Sequence, residues 1–195
     1  IGIIGHHAFT TQAMYTAETE TEDGMPVLRF YEYERIREVP YQIDFWLEED
    51  SRFLNCRMRI VNESSEVIPM YWWSNIAVPE TPDRRIVVPT DESYYSFWST
   101  VAKTPIPMRA GKDVTYPVNT ECSMDYFYRI PEENRKYIAC LDKDGYGLVQ
   151  TSTRRLKGRK LFVWGQSEGG HTWQRFLTDK AGDYSEIQAG LARTQ

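Results

Sequence analysis

The chain has 195 residues, with 23 basic and 28 acidic side chains, which gives a formal net charge of −5 at pH 7. An acidic protein repels phosphate groups, so this charge argues against a nucleic-acid binder or a binder of anionic membranes. No apolar stretch approaches the roughly 20 residues that span a bilayer, and the 41% hydrophobic content is too high for a disordered chain. Aromatic residues form 14% of the chain, and such side chains favour pleated sheets and stack on flat ligands such as sugar rings.

Alternating apolar and polar residues, typical of β-strands, dominate the chain from residue 27 onward. The alternating runs 41–47 and 54–61 are joined by an acidic turn, and we predict that they form an antiparallel hairpin with one core face. The aromatic run Val67–Ala77 predicts a third strand. The acidic segment Thr16–Asp23 predicts a solvated strand or loop.

The second half of the chain continues this pattern. Turns that contain Gly or Pro separate the predicted strands at intervals of roughly 8–15 residues, which is typical of a sandwich or barrel. The predicted strands are Val87–Pro89, Tyr94–Trp98, Val114–Pro117, Tyr126–Ile130, Tyr137–Leu141, Gly147–Thr153 and Lys160–Trp164. No window has an apolar stripe of helical length, and Glu132–Lys136 is predicted to form at most one helical turn. With no linker or internal repeat, we predict one all-β domain over residues 1–195.

Several polar features predict no chemistry. His6 and His7 would point to opposite faces of a strand, so we expect no shared metal ion and no cofactor. The Gly-rich segment Gly165–Gly170 lacks the Lys and the following helix of a phosphate loop, and is predicted to be a long β-connection. A basic cluster is predicted to be a solvated hairpin tip. Its members are Arg154, Arg155, Lys157, Arg159 and Lys160.

The cysteines indicate a reducing compartment. Cys56, Cys122 and Cys140 are odd in number and widely spaced, so we predict buried free thiols and a cytoplasmic location. Because the chain begins with Ile1 and ends without a clear terminator, we expect it to be a fragment of a longer protein.

Two segments are candidates for a binding site. In the first, Trp72 and Trp73 would face opposite sides of a strand, so that one packs in the core and the other, with Asn75, contacts a ligand; packing of both is the structural alternative. In the second, three side chains would share one face if the segment is a strand. They are His171, Trp173 and Arg175.

The final strand places Glu186 and Gln188 on one face, away from Ile187 and Ala189, which suit a core. His171 beside Glu186 would form a titratable pair suited to proton transfer near neutral pH. A structural hydrogen bond between them, or no contact at all, is the alternative.

These residues resemble a known family. The stretch from Tyr41 through Asn75 is similar to the middle of the galactose mutarotase (aldose 1-epimerase) superfamily, and Tyr184–Gly190 is similar to the segment that carries its catalytic Glu. Residues 71–92, 169–176 and 183–195 most resemble a bacterial family of unknown function in the same superfamily, which often precedes tetratricopeptide repeats.

The resemblance implies an antiparallel β-supersandwich with a concave sugar-binding face, part of it outside this chain. It also implies that Glu186 is the general base that takes the proton of the anomeric hydroxyl. The strand that carries the family's catalytic His reads Trp72-Trp-Ser-Asn75 and has no His, so His171 would have to substitute as the acid.

We therefore predict a carbohydrate-processing or carbohydrate-binding domain, with tetratricopeptide repeats as a neighbour in the same chain. If it is an enzyme, an epimerase needs one base and one acid, whereas a glycoside hydrolase needs a second carboxylate about 5–10 Å from the first. Candidates for that carboxylate are Glu168, Asp179 and Asp183. The alternatives are a non-catalytic sugar-binding module and a structural or protein-interaction domain.

Overall fold

The computed structural model describes residues 13–97 and 100–194, and of residue 97 only the backbone. Its contacts divide the chain into two compact units, residues 1–70 (unit 1) and 71–195 (unit 2). That the two act as one domain stays a prediction.

Unit 1 is an antiparallel sheet in which strands adjacent in the chain are neighbours in space. Its strands are β1 (Tyr15–Glu20), β2 (Pro26–Glu34), β3 (Val39–Leu47) and β4 (Leu54–Ile60). The predicted hairpin is confirmed, because Ile43 lies opposite Met58 and Phe45 opposite Cys56. Its apolar face is only partly buried: Leu47 and Leu54 are 59% and 65% exposed.

The opposite face of unit 1 carries a charge row of three directly paired residues, in which the central carboxylate is buried and the two arginines are 30% and 57% exposed. Asp44 on β3 lies between Arg29 on β2 and Arg57 on β4. Arg29 donates from Nε and Nη2 to the two carboxylate oxygens at 2.7 and 3.0 Å, and Arg57 donates at 2.9 Å and Gln42 at 3.0 Å to Oδ2. These hydrogen bonds, the Arg29 bond above all, lower the pKa of the fully buried Asp44 to about 2.

Unit 2 is a sandwich of two antiparallel sheets. The larger has, in spatial order, β5 (Trp73–Pro79), β15 (Tyr184–Gly190), β14 (Gly158–Val163), β11 (Met124–Tyr128), β7 (Glu92–Phe97) and β8 (Thr100–Pro105). The smaller has β13 (Gly147–Thr151), β12 (Tyr137–Leu141) and β6 (Arg85–Val87). The other described elements are the ribbon β9 (Met108–Arg109) and β10 (Lys112–Asp113), a 3₁₀ turn at Pro117–Asn119, and helix α1 (Glu168–Leu177).

The core of unit 2 contains side chains from both sheets. Leu161, Val163 and Ile187 from the larger sheet and Ile138 and Cys140 from the smaller one are completely buried in the same apolar cluster. The predicted antiparallel β-sandwich is therefore confirmed, and it leaves the other face of the larger sheet outside this core.

Helix α1 contradicts the prediction that the chain has no helix beyond one turn. It follows the Gly-rich segment that we expected to be a β-connection, and it begins after Ser167, whose Oγ accepts a hydrogen bond from Gly170 N at 3.3 Å as an N-cap. Gln174 is fully buried and accepts a hydrogen bond from Tyr184 N at 2.7 Å, which ties the helix to β15. At ten residues, this helix is too short to cross a bilayer.

Other boundaries also differ. The third predicted strand begins only at Trp73 instead of Val67, and residues 132–134 form a turn and bend instead of a helical turn. The prediction of a strand at Val114–Pro117 is wrong, because residues 114–116 form a turn that leads into the 3₁₀ turn. Of the three cysteines, Cys140 is buried as predicted, but Cys56 is exposed and Cys122 is half-buried.

The basic cluster is not wholly a solvated tip, because Arg159 is completely buried at the edge of the core. Its guanidinium donates to Lys136 O at 2.8 Å, to Ser152 Oγ at 2.6 Å and to Gly158 O at 2.8 Å. Burial lowers its pKa to about 10, so it stays charged at neutral pH. Lys160, the next residue, is 6% exposed and points to the opposite face.

Candidate functional site

The candidate site lies on the face of the larger sheet that is turned away from the core. In the strand register, Glu186 is flanked by Ala77 and Phe162, and Gln188 is flanked by Asn75 and Lys160. Directly paired residues share a face, so β11 adds Asp125 beside Phe162 and Phe127 beside Lys160. We call this surface the Glu186 face; its members are Trp73, Asn75, Asp125, Phe127, Lys160, Phe162, Tyr184, Glu186 and Gln188.

The final strand has the two faces that its sequence predicts. Ile187 and Ala189 are 0% and 1% exposed on the core side, whereas Glu186 is half-buried on the other. Gln188 is 3% exposed, and its Nε2 donates to Glu186 Oε2 at 3.0 Å. The amide therefore holds the carboxylate in position.

Next to these residues lies the buried Lys160, for which the sequence predicts a solvated hairpin tip. Lys160 Nζ is 3.1 Å from Asp125 Oδ1, and it lies 5.8 and 5.2 Å from the ring centroids of Trp73 and Phe127. The strand alternation could have found it, since Lys160 and Phe162 alternate with Arg159, Leu161 and Val163.

The Trp73 indole lies across β15 and β14 because each of these strands has a glycine at that point, Gly190 and Gly158. A Cβ on Gly190 would lie 2.2 Å from Trp73 Cδ2, and one on Gly158 would lie 2.5 Å from Cη2. Phe127 meets the indole edge-on at 6.0 Å. Of the two predicted tryptophans, Trp73 is thus the one on the Glu186 face.

The Glu186 face contains polar atoms whose hydrogen-bonding capacity is not used. The ion pair between Lys160 and Asp125 lacks the angles of a hydrogen bond, and in the described part of the chain Asp125 Oδ1 is buried without a hydrogen-bond partner. Trp73 Nε1 is likewise buried and unpartnered among the described residues. Buried polar groups nearly always have partners, but both of these atoms are closed off from solvent, so a bound molecule could reach them only after a neighbouring side chain moves.

The predicted pair of His171 and Glu186 has a different arrangement. His171 lies on α1, and its Nδ1 is 3.7 Å from Asp183 Oδ2, with both side chains about 40% exposed. Asp183 precedes Glu186 by three residues, about 10 Å along an extended chain. His171 therefore has a different carboxylate neighbour from the one that we predicted.

The remaining predicted ligand residues are spread over several elements. Trp173 and Arg175 lie on α1, where residues two apart do not share a face as they would on a strand. Trp72 precedes β5 and is half-buried, and its carbonyl accepts a hydrogen bond from Leu191 N at 3.2 Å. Asn75 is exposed opposite Gln188.

Asp125 shares the face of Glu186, and no local pattern in the sequence points to it. The two lie in one row with Phe162 between them, so two strand spacings, about 10 Å, separate their backbones. The predicted candidates lie elsewhere, Glu168 and Asp179 at the two ends of α1 and Asp183 beside His171.

Tyr184 connects this row to the helix. Burial raises the pKa of its hydroxyl, and the charge of Glu186, two residues along the same strand face, adds to the rise. Tyr184 therefore stays protonated at neutral pH and can donate a hydrogen bond beside Glu186.

Metal ligation finds no support in residues 13–97 and 100–194, where no three His, Cys, Asp or Glu side chains come close enough together to hold an ion. His6 and His7 lie outside the described residues.

The fold of unit 2 defines the chain as an antiparallel β-sandwich protein. Over residues 1–195 the chain matches the family described as "Domain of unknown function (DUF5107)", and it belongs to that family.

Two solved structures share the fold. A TPR-domain containing protein from Parabacteroides distasonis ATCC 8503 is 20% identical with a TM-score of 0.79, over 93% of this chain and 31% of that one. A protein from Escherichia coli K12 named "Putative aldose 1-epimerase" is 14% identical with a TM-score of 0.60, over 90% of this chain and 57% of that one. The chain thus spans about a third and somewhat over half of these two proteins.

Proposed function

We propose that the Glu186 face binds a carbohydrate and that Glu186 acts on it as a general base. The observation that carries this proposal is the half-buried Glu186, held by Gln188 on one face with the Trp73 ring and the Lys160–Asp125 pair. A sugar presents apolar CH groups that stack on rings and hydroxyls that both donate and accept, so it would match each part of this surface. The fold shared with the E. coli protein supports the same class of ligand.

The chemistry that fits best is ring opening and closure at the anomeric carbon. Glu186, oriented by Gln188, takes the proton of the anomeric hydroxyl; the carbonyl forms as the bond from the anomeric carbon to the ring oxygen breaks, and the ring oxygen gains a proton. Lys160 is the diagonal cross-strand neighbour of Glu186, about 7–8 Å away. It can donate to that oxygen where the family's His is missing, whereas His171 lies beside Asp183.

The longer protein is proposed to carry tetratricopeptide repeats next to this domain, as the name of the Parabacteroides protein indicates for that protein. We also propose a cytoplasmic location, because free thiols are typical of a reducing compartment.

The test uses the full-length protein and a panel of aldoses, with binding followed by saturation-transfer NMR and anomer exchange by exchange spectroscopy. Removing a general base costs roughly 10²–10⁴ in rate, so Glu186→Gln is expected to lower anomer exchange by that factor while binding changes little. Glu121→Gln is the matched control, since Glu121 is an exposed carboxylate of the same unit.

Two outcomes would count against the proposal. Unchanged exchange in Glu186→Gln would remove this residue as the base, and no binding by the wild-type protein would remove carbohydrate as the ligand. Binding without any turnover would assign the domain to the non-catalytic sugar-binding modules.

A further inference from the structure

The face of unit 1 that carries the Asp44 charge row also contains a cavity of about 360 Å³, which we call the Arg59 cavity. This volume lies within the range of small-molecule sites. Tyr31, Gln42 and Arg59 are directly paired across β2, β3 and β4, so they share this face and form the row beside Asp44. The residues that line the cavity are Ala17, Arg29, Tyr31, Glu32, Pro40, Tyr41, Gln42, Arg59 and Val61.

Arg59 brings a positive charge to this cavity that no acidic side chain neutralises. It is exposed, and within residues 13–97 and 100–194 its guanidinium makes no ion pair or hydrogen bond. Asp44 has no capacity left for it. The two oxygens of that carboxylate already accept two hydrogen bonds from Arg29 and one each from Arg57 and Gln42, which fills the lone pairs of a carboxylate. The donors of Arg59 therefore remain available to a ligand.

This face is positive although unit 1 as a whole is acidic. In residues 1–70, acidic side chains are about twice as numerous as basic ones. The strand alternation nevertheless places three arginines and a single acid, Asp44, on this face of β1–β4. The arginines are Arg29, Arg57 and Arg59. Glu32 also lines the cavity, but it accepts a hydrogen bond from Tyr33 N at 2.7 Å. Because a guanidinium presents donors in a fork that matches carboxylate and phosphate groups, the cavity suits an anion.

One wall of the Arg59 cavity is aromatic. The Tyr31 ring stacks on Tyr15 of β1, with the ring centroids 5.6 Å apart and an angle of 27° between the rings. This contact holds the Tyr31 side chain in place and leaves 41% of the residue exposed. An aromatic ring that is fixed and half-exposed offers a stacking surface to a ligand that contains a ring.

We propose that the Arg59 cavity binds a small organic anion that carries a ring, with Arg59 binding the carboxylate or phosphate group and Tyr31 contacting the ring. The inference goes beyond the proposed function, since this cavity belongs to unit 1 and the Glu186 face belongs to unit 2.

The test titrates the full-length protein by calorimetry with phenyl phosphate and glucuronate, which combine a ring with an anionic group. Phenol and glucose are the corresponding neutral rings, and inorganic phosphate and acetate are the anions without a ring. At least one ring-bearing anion is expected to bind roughly tenfold more tightly than its neutral ring and than the anion alone, as one charged hydrogen bond or one stacking contact provides.

Three variants assign the binding to this cavity. Arg59→Gln is expected to lower the affinity for the ring-bearing anion roughly tenfold, and it should not disturb folding because the guanidinium has no partner among the described residues. Tyr31→Leu should lower the affinity a few-fold and Tyr31→Phe should keep it, since only the second retains a ring. Arg52→Gln is the matched control, because Arg52 is an exposed arginine in the bend before β4, and it should bind as the wild type does.

Three results would overturn the inference. They are equal affinities for the anions and their neutral rings, an affinity that is unchanged in Arg59→Gln, and binding of acetate or inorganic phosphate as tight as that of the ring-bearing anions. Glu186→Gln should bind the ring-bearing anion with wild-type affinity, so that a failure of the sugar chemistry on the Glu186 face is distinguishable from a failure of this site.

Discussion

Two aspartates on interior strands, one in each unit, face cations in very different ways. Asp44 in unit 1 is completely buried, and both of its oxygens accept hydrogen bonds from paired arginines. Asp125 in unit 2 faces one lysine at 3.1 Å without hydrogen-bond geometry, and its side chain is 26% exposed. A polar row whose hydrogen bonds are complete stabilises its sheet, while the incomplete row beside aromatic rings is the one that we propose to bind a ligand.

The choice of cation agrees with this difference. Arg29 binds Asp44 through two parallel hydrogen bonds, the geometry that makes such pairs strong and fixed. Lys160 is a single flexible point charge that can donate to a different oxygen when one arrives. The comparison therefore predicts that the first row controls folding and the second controls binding.

The largest expected effect is that of Asp44→Asn. It removes the counter-charge between Arg29 and Arg57, whose side chains are 30% and 57% exposed, and we expect a loss of about 2 kcal/mol from the stability of unit 1. Amide hydrogen exchange of peptides from β2, β3 and β4 measures this loss locally. Exchange unchanged from the wild type would mean that the complete row is not structural.

The pH dependence of unit 1 follows from the same carboxylate. The folded pKa of Asp44, about 2, lies below its ordinary value of 3.8, so the charged form is the stabilising one. The ionised carboxylate contributes about 2 kcal/mol to the free energy of unfolding of unit 1. This contribution is complete above pH 4 and is lost as the pH falls toward 2. Urea unfolding at stepped pH, followed by the fluorescence of Trp46, measures it; in Asp44→Asn this part of the acid dependence should be absent.

Gly190→Ala tests the aromatic wall of the incomplete row. The new Cβ would press on the Trp73 ring at 2.2 Å, and we expect a loss of about 1–2 kcal/mol and weaker ligand binding as the ring shifts. Thermal unfolding and sugar titration report the two effects. Gly169→Ala, at an open position whose nearest neighbouring atom is 4.0 Å away, is the control and should cost nothing.

The smallest stability effect is expected where the effect on binding is greatest. The double variant Asp125→Asn with Lys160→Met replaces the incomplete pair by neutral groups of similar size, and Met keeps the stem that packs between Trp73 and Phe127. Its unfolding free energy should stay within about 1 kcal/mol of the wild type, while sugar binding is lost. A large destabilisation with intact binding would reverse the roles that we assign to the two rows.

The β-strands could be predicted from the sequence because their signal is local. The alternation in 41–47, 54–60 and 184–190 places each side chain on the correct face, including Glu186 and Gln188. Helix α1 was missed because its apolar residues are few and face solvent, and because two glycines precede them. Trp173, Phe176 and Leu177 stand at helical spacing, but they cover little more than one turn, which is too short for the pattern to predict a helix.

The site was only partly predictable for a different reason. Lys160 on β14 meets Asp125 on β11 because these two strands are neighbours in the sheet, although they are far apart in the chain. No local pattern gives this pairing. Strand alternation predicts that Trp72 and Trp73 face opposite sides but not which one lies on the Glu186 face, and the position of Trp73 over Gly158 and Gly190 depends on the same non-local order of strands.

The adjacent cations Arg159 and Lys160 make the strand register of β14 a shared requirement of stability and chemistry. If this strand shifted by one residue against its neighbours, the Arg159 guanidinium would lose the carbonyl groups that accept its hydrogen bonds. The Lys160 ammonium group would then face the apolar interior. Insertions or deletions in the connection 152–157 are thus tolerable only when the strand keeps its phase, which makes the length of an outwardly ordinary loop a determinant of the whole surface behind it.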